Sequence, residues 1–330
     1  MLSIAPPWAG LCQHRVSGDV EEETMTRISL ALALAAVGIL SATASMAADK
    51  VQIGSGKVSP ESMTATSDGT LYAGSIALGE VFRAAPGATT ADKFIDKPGD
   101  GPQAILGVFA DEKGGTLWVC YSDLAIFSGK PAMNSIVRSY DLKSGEAEGS
   151  YDLGSGTLCN DVTVAADGTH YIADTAGGRV FRLKPGATAV DTWSNDPQLK
   201  GIDGIAVGPD GAVYANSVTQ SRLFRIDVGS DGAAAKVTEL APSQPLKGTD
   251  GMRFGDDGVL YLAENANGQV DAVTIKGDAA TIKPVATGLD GPTALSKVGN
   301  TLWVLEAKVG KMTDPTETGP YYMIPFSLGG

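Results

Sequence analysis

Apolar and polar residues alternate in short bursts along this chain, and each burst is cut by a tight turn. One form recurs six times: an alternating strand, a turn, a second alternating strand. The copies are SMTATSDGTLYAGS (62–75), GVFADEKGGTLWVCYS (107–122), DVTVAADGTHYIADT (161–175), GIAVGPDGAVYANS (204–217), GMRFGDDGVLYLAEN (251–265) and TALSKVGNTLWVLEA (293–307). A period of two is the strand period, and Asp-Gly, Gly-Gly or Gly-Asn between the bursts marks a hairpin. The turns return every 42 to 53 residues. Most copies run on into a third strand, as in EVFRAAPG (80–87), SIVRSYDLKSG (135–145), GRVFRLKPG (178–186) and SRLFRIDVG (221–229). Several add a fourth, more polar one, such as ATAVDTWS (187–194) and AKVTELAP (235–242).

A lone hairpin cannot bury both faces, but units of four strands stacked around an axis can. The pattern therefore predicts an all-β fold, a six-bladed β-propeller with four antiparallel strands per blade, over residues 48–330 as a single domain. The last copy supplies three strands, the third being PYYMIPFSL (320–328), and KVQIGSG (50–56) is left over near the start. We expect that N-terminal strand to complete the last blade and close the ring, which protects the sheet edges. The alternatives fit less well: the period is too long for the coils of a β-helix, and six equal hairpins are unusual in a sandwich.

Composition agrees. The chain has 330 residues, 42 of them glycine, and 43% apolar content, enough for a sizeable core. Its formal charge of −13 argues against nucleic acid or an anionic membrane surface as partner. The start reads differently from the repeat. From Met25, Arg27 gives a positive flank, Ile28 to Leu40 an apolar stretch, and Ser45-Met46-Ala47 a small-x-small cleavage site. Residues 25–47 are expected to be a signal peptide, with the mature chain starting at Ala48 and reaching the periplasm or the exterior. Residues 1–24 lack any periodicity and read as an over-extended start or a disordered segment, with Met25 the true initiator; an uncleaved anchor is the alternative. Removing 1–47 takes two arginines and four acidic residues away and leaves a charge of −11. Two cysteines then remain, Cys120 and Cys159. They are too few for a disulfide scaffold, and we expect buried free thiols, with a bridge as the alternative.

One repeat position carries candidate chemistry. The residues opening the second strands are Leu71, Leu117, His170, Val213, Leu260 and Leu302. Ten positions before them stand Glu61, Gly107 (or Leu106, given an extra turn residue), Asn160, Asp203, Asp250 and Pro292. These precede the innermost strands, whose starts meet at one end of the central channel. Three carboxylates converging there repel one another unless something positive sits between them. Oxygen-only donors favour one hard divalent cation, Ca2+ first, with Zn2+ and Mn2+ as alternatives. A single Asp or Asn at a strand start more often bonds nearby backbone; four equivalent positions are less easily explained that way. Asp257-Gly258, in contrast, needs only hairpin chemistry. Second strands return to the same end, so Ser75, Tyr121, Asp123, Asp174, Asn216, Glu264 and Glu306 are candidate pocket walls. Trp118, Tyr171, Tyr214, Tyr261 and Trp303 repeat at one blade position and read as packing between blades. His170 is the only histidine after residue 47, which leaves no His dyad and little scope for a Ser-His-Asp triad. No nucleophile elbow, P-loop or dinucleotide fingerprint is present in its required context.

The segments PES (60–62), CNDVTVAADG (159–168), GIDGIAVGPDG (201–211) and GTDGMRFGDDG (248–258) resemble the senescence-marker-protein/regucalcin and gluconolactonase group of six-bladed propellers. The resemblance implies that Glu61, Asp203 and Asp250 are ligands of one divalent cation and that Asn160 lies beside it, meeting substrate or water. It implies that Asp250 is also the general base in lactone hydrolysis. Two departures stand out. Asp203 replaces the usual asparagine, and Leu158 occupies the place of an arginine found in sugar-lactone members. The expected function is metal-dependent hydrolysis of a small polar lactone or ester by a monomer, with Tyr121, Asp174, Asn216 and Glu264 joining Asn160 around the substrate. The alternatives are a non-catalytic ligand- or protein-binding propeller with a structural calcium, and a lyase built on the same scaffold.

Overall fold

The computed structural model describes residues 48–312 and 314–329. The expected leader, 25–47, and the segment 1–24 lie outside the described residues. Those described fold into strands, with three short 3-10 turns as the only helical elements among them. No helix among them is long and apolar enough to cross a membrane.

The strands form six four-stranded antiparallel units. The first strands of the units are Pro60–Ala65, Ala104–Asp111, Cys159–Val164, Ile202–Val207, Thr249–Phe254 and Pro292–Val298. Each pairs with the next strand in sequence, and so on outward. The first strands also pack against one another in chain order, and the sixth packs against the first, closing the cycle. This is a β-propeller. The sixth unit is completed by Val51–Ile53, which pairs antiparallel to Tyr322–Ser327 with Val51 opposite Met323. The same short strand pairs in parallel with Thr90–Ile95 of the first unit. The N-terminal strand therefore joins the two ends of the ring, as the pattern predicted.

Burial explains the polarity of each strand. The second strands Leu71–Ser75, His170–Asp174, Val213–Ser217 and Leu260–Glu264 are buried at every position, because neighbouring units cover both of their faces. The fourth strands, such as Ala147–Asp152, lie outermost and are mostly exposed, hence their polar sequences. Of six apolar clusters among the described residues, five hold the repeated aromatics Trp303, Tyr214, Tyr171, Trp118 and Tyr261, and one holds Tyr72, which stands at the same position of unit one. His170 stacks at 4.0 Å from Trp118 and is 8% exposed, so it is a packing residue. Burial holds its pKa below the usual histidine value.

The cysteines differ from expectation. Cys120 and Cys159 form a disulfide, with Cα atoms 5.3 Å apart. Cys120 lies in the second strand of unit two and Cys159 opens the first strand of unit three. Sequence spacing hides this pairing because it is made by the packing of adjacent units, 39 residues apart along the chain.

Candidate functional site

The ring position is built by β-bulges. Every first strand slips register against its second strand near its start. The slips fall between Pro60 and Ser62, Ile105 and Gly107, Cys159 and Val162, Ile202 and Ile205, Thr249 and Met252, and Pro292 and Ala294. A bulge leaves a residue out of the ladder and re-aims its side chain. The residues freed include Glu61, Leu106, Asn160, Asp203, Asp250 and Thr293, and all six line one small cavity. Two refinements follow. Leu106, not Gly107, is the unit-two member, and Thr293, not Pro292, is the unit-six member. Gly107 instead allows close approach of two inner strands: a Cβ there would lie 2.3 Å from the Asn160 carbonyl oxygen.

The cavity measures about 10 Å³, room for one water- or ion-sized guest. Asp203 and Asp250 are buried, at 5% and 6% exposure, and Glu61 is partly exposed. Asn160 Nδ2 donates to Asp203 Oδ2 at 2.8 Å. Asp250 Oδ2 accepts from Asn265 Nδ2 at 2.7 Å, and its Oδ1 accepts from the Gly251 N–H at 3.0 Å. Asn216 Nδ2 donates to the Asp250 carbonyl oxygen, fixing the backbone of the same residue. Burial raises all three carboxyl pKa values. Asp250 is pushed up to about 7 by desolvation. Glu61 and Asp203 rise well above the carboxylate range, by desolvation first and then by repulsion from the neighbouring carboxylates.

The only cation at this cluster among the described residues is Arg253. Its two terminal nitrogens fork onto Asp161 at 2.6 and 2.7 Å. Asp161 follows Asn160 in the unit-three bulge, so the pair crosses between units five and three. Sequence reading missed both residues. The available signal was an arginine at an inner-strand position where units one, three, four and six carry Thr64, Thr163, Ala206 and Ser296. Because the guanidinium is committed to Asp161, the other three carboxylates lack a cationic partner of their own. No three Asp, Glu, His or Cys side chains among the described residues are pre-arranged as a coordination shell. The donor chemistry nevertheless suits a hard divalent cation: three carboxylates, Glu61, Asp203 and Asp250, line an ion-sized cavity.

The expected pocket walls are a correction. Tyr121, Asp174, Asn216 and Glu264 are fully buried and do not line the cavity. Tyr121 OH meets Tyr140 OH at 3.1 Å. Asp174 accepts from the N–H groups of Leu158 and Gly177 and from Arg179 Nε. Glu264 accepts from the Lys247 N–H, Asn267 Nδ2 and Gln269 Nε2. The second-strand ends do reach the right end of the channel. They are covered there by the loops they anchor, and their polar groups satisfy backbone that would otherwise be buried unpaired.

Comparison with solved structures finds this fold repeatedly. The major allergen Mala s 1 of Malassezia sympodialis is similar with a TM-score of 0.68 and 16% identity, over 84% of this chain and 96% of that one. A gluconolactonase from Xanthomonas campestris matches with a TM-score of 0.58 and 16% identity, over 85% and 88%. Virginiamycin B lyase from Staphylococcus aureus matches at 0.56 and 15%, over 82% and 80%. These likenesses are of fold, since the chemistry of the matched proteins varies. No curated protein matches the sequence. The family model for the SMP-30/gluconolactonase/LRE-like region matches residues 59–305, from the residue before the first inner strand into the sixth unit's second strand. On that match this lactonase-like propeller belongs to the SMP-30/gluconolactonase/LRE-like family.

Proposed function

We propose that this protein is an exported, divalent-cation-dependent hydrolase of a lactone or ester, with Glu61, Asp203 and Asp250 as the cation's ligands. The observation that carries the reading is the ring of bulges. Three carboxylates from units one, four and five face one ion-sized cavity, and the nearby guanidinium is already paired with Asp161. A bound cation, Ca2+ in preference to Zn2+ or Mn2+, would supply Lewis acidity to a substrate carbonyl. The remaining work falls to side chains. Asp250 is held at both oxygens by Asn265 and the Gly251 N–H, so its carboxylate is oriented before substrate arrives. An Asp250 oxygen not engaged by the cation would be the group that takes a proton from the attacking water. Asn160, bonded to Asp203, offers an amide at the cavity to a small polar substrate. The Cys120–Cys159 disulfide supports export to an oxidising compartment. N-terminal sequencing of the protein made in its host should begin at Ala48.

One observation favours a second reading, a ligand- or protein-binding propeller pinned by a structural ion. Substrate pockets usually run to about 300–1,000 Å³, and the ring cavity is about 10 Å³. It can take an ion or a water but not a lactone, which must lie above it. A lactone and ester panel with Ca2+, Zn2+ or Mn2+, against a chelated control, separates the two. The hydrolase reading expects turnover only with the cation, and loss of both calorimetric cation binding and turnover in Asp250→Asn. Full hydrolysis by Asp250→Asn would sink it. Cation-dependent melting without turnover of any substrate would establish the second reading.

A further inference from the structure

The loops between second and third strands leave from the same end as the ring residues, since Pro60 pairs with Ser75 and Thr249 with Glu264. These loops span four residues in units three, four and five, five in unit one and fifteen in unit six, 307–321; in unit two the loop spans thirteen, 123–135. It carries Phe127, 71% exposed, and Met133, 50% exposed. Leu78, on the corresponding loop of the adjacent unit one, is a third exposed large apolar side chain at this end. Scattered exposed apolar residues need no explanation, but three on neighbouring loops at one rim do.

The unit-two loop is held in place. Asp123 Oδ1 accepts from the Ala125 N–H and Oδ2 from the Met133 N–H, both at 3.0 Å, so one carboxylate ties its two ends. Its base is fixed to the site. Ser122 Oγ donates to the Cys159 carbonyl oxygen at 3.0 Å, and the Cys159 N–H donates to Ser135 Oγ at 3.2 Å. Cys159 is bonded to Cys120 and directly precedes Asn160, which lines the cavity. Leu158, before it, is 1% exposed and adds no charge to the mouth.

We propose that the 123–135 loop, with Leu78, forms an apolar rim that receives the alkyl or aryl arm of an ester or lactone whose carbonyl lies over the ring carboxylates. This rests on the hydrolase reading and narrows its substrate class from polyhydroxylated lactones to lactones bearing an apolar substituent. A membrane occupant is disfavoured by the acidic charge of the chain.

The test uses ring-matched lactams, which resist hydrolysis, with alkyl substituents from none to eight carbons. Binding is measured by calorimetry to the wild type, Phe127→Ser/Met133→Ser and Asp250→Asn, each checked for an unchanged melting temperature. Wild-type affinity should rise about fourfold per methylene over the first few carbons. The rise should flatten in the double variant and persist in Asp250→Asn. On the matching lactones, kcat/KM should follow the same chain-length trend in the wild type. Absence of chain-length dependence, or its survival in the double variant, overturns the inference. Wild-type flotation with phosphatidylglycerol vesicles, lost in the double variant, also overturns it by assigning the rim to a membrane. Chain-dependent lactam binding with no lactone turnover overturns the hydrolase reading alone.

Discussion

Arg253 shows what one residue contributes to a crowded acidic centre. Its fork onto Asp161 neutralises one of four carboxylates at the channel. Asp161 is only 4% exposed, so removing the arginine strands a buried charge beside Asp203, Asp250 and Glu61. Breaking one side of such a pair costs about 3–5 kcal/mol, whereas replacing both sides with apolar groups is often neutral. Arg253→Met should lower the urea midpoint sharply, and Arg253→Met/Asp161→Leu should recover most of the loss. An unchanged midpoint in the single variant would mean that the pair does not stabilise the fold. At this scale the sequence was partly legible. Glu61, Asn160, Asp203 and Asp250 were found because they occupy equal steps in a repeat. Thr293 was displaced by one position because bulges add residues that a fixed step cannot count. Asn265, which holds Asp250, lies fifteen residues away on a return loop, and nothing in its local sequence marks that contact.

Elements place those residues through bulges and turns. The two Asp-Gly pairs that bracket the fifth inner strand do different work. Asp257-Gly258 is a hairpin: Gly258 sits at φ 72°, Val259 N–H donates to Asp257 Oδ1, and Tyr261 OH donates to its Oδ2. Asp250-Gly251 is the bulge that carries the site. Turn chemistry made the first readable, while the second emerged only from comparison between units. The disulfide belongs to the same scale, since it ties the second strand of unit two to the strand that presents Asn160. In the chain-entropy picture, closing a loop of 39 residues contributes about 4 kcal/mol. Cys120→Ala/Cys159→Ala should therefore unfold at a clearly lower urea concentration. Reducing agent should destabilise the wild type and leave the double variant unaffected. A midpoint shared by both proteins would show that unit packing alone holds this junction. The buried Tyr121, Asp174, Asn216 and Glu264 show the limit of face-counting: period gives a strand's end, but not what covers it.

The whole molecule depends on two features that act beyond any single unit, one electrostatic and one topological. Glu264 and Asp271 are fully buried together in unit five, bridged by Gln269 Nε2 at 3.0 Å to each. Desolvation, and then the bond to Glu264, pushes Asp271 up to about 7. The folded state thus binds a proton that the unfolded chain, with a pKa of about 3.9, releases. This contribution is complete below about pH 4 and is lost as pH rises through about 7. Asp271→Asn should flatten that limb relative to the wild type. It should also raise the melting temperature at pH 8, by about 2–4 °C for each kcal/mol recovered. The comparison must be the difference between the two proteins, because the ring carboxylates titrate in the same sense. The topological feature is the closing strand. Val51 and Ile53 are buried in the same cluster as Met323 and Tyr321, and Gln52 N–H donates to the Thr89 carbonyl at 2.9 Å in unit one. Three residues thus seal the ring, and they lie close behind the expected cleavage site. Deleting 48–56 removes two core side chains, each worth about 1.5–3 kcal/mol, from a fold whose margin is about 5–15 kcal/mol. It also bares the edges of Thr90–Ile95 and Tyr322–Ser327 to pairing with other chains. The truncated chain should lose stability and elute as oligomers on size exclusion, and a peptide spanning 48–57 supplied in trans should return it to the monomer volume. A truncated chain that stays monomeric with an unchanged urea midpoint would mean that packing between the first and sixth inner strands closes the ring without the N-terminal strand.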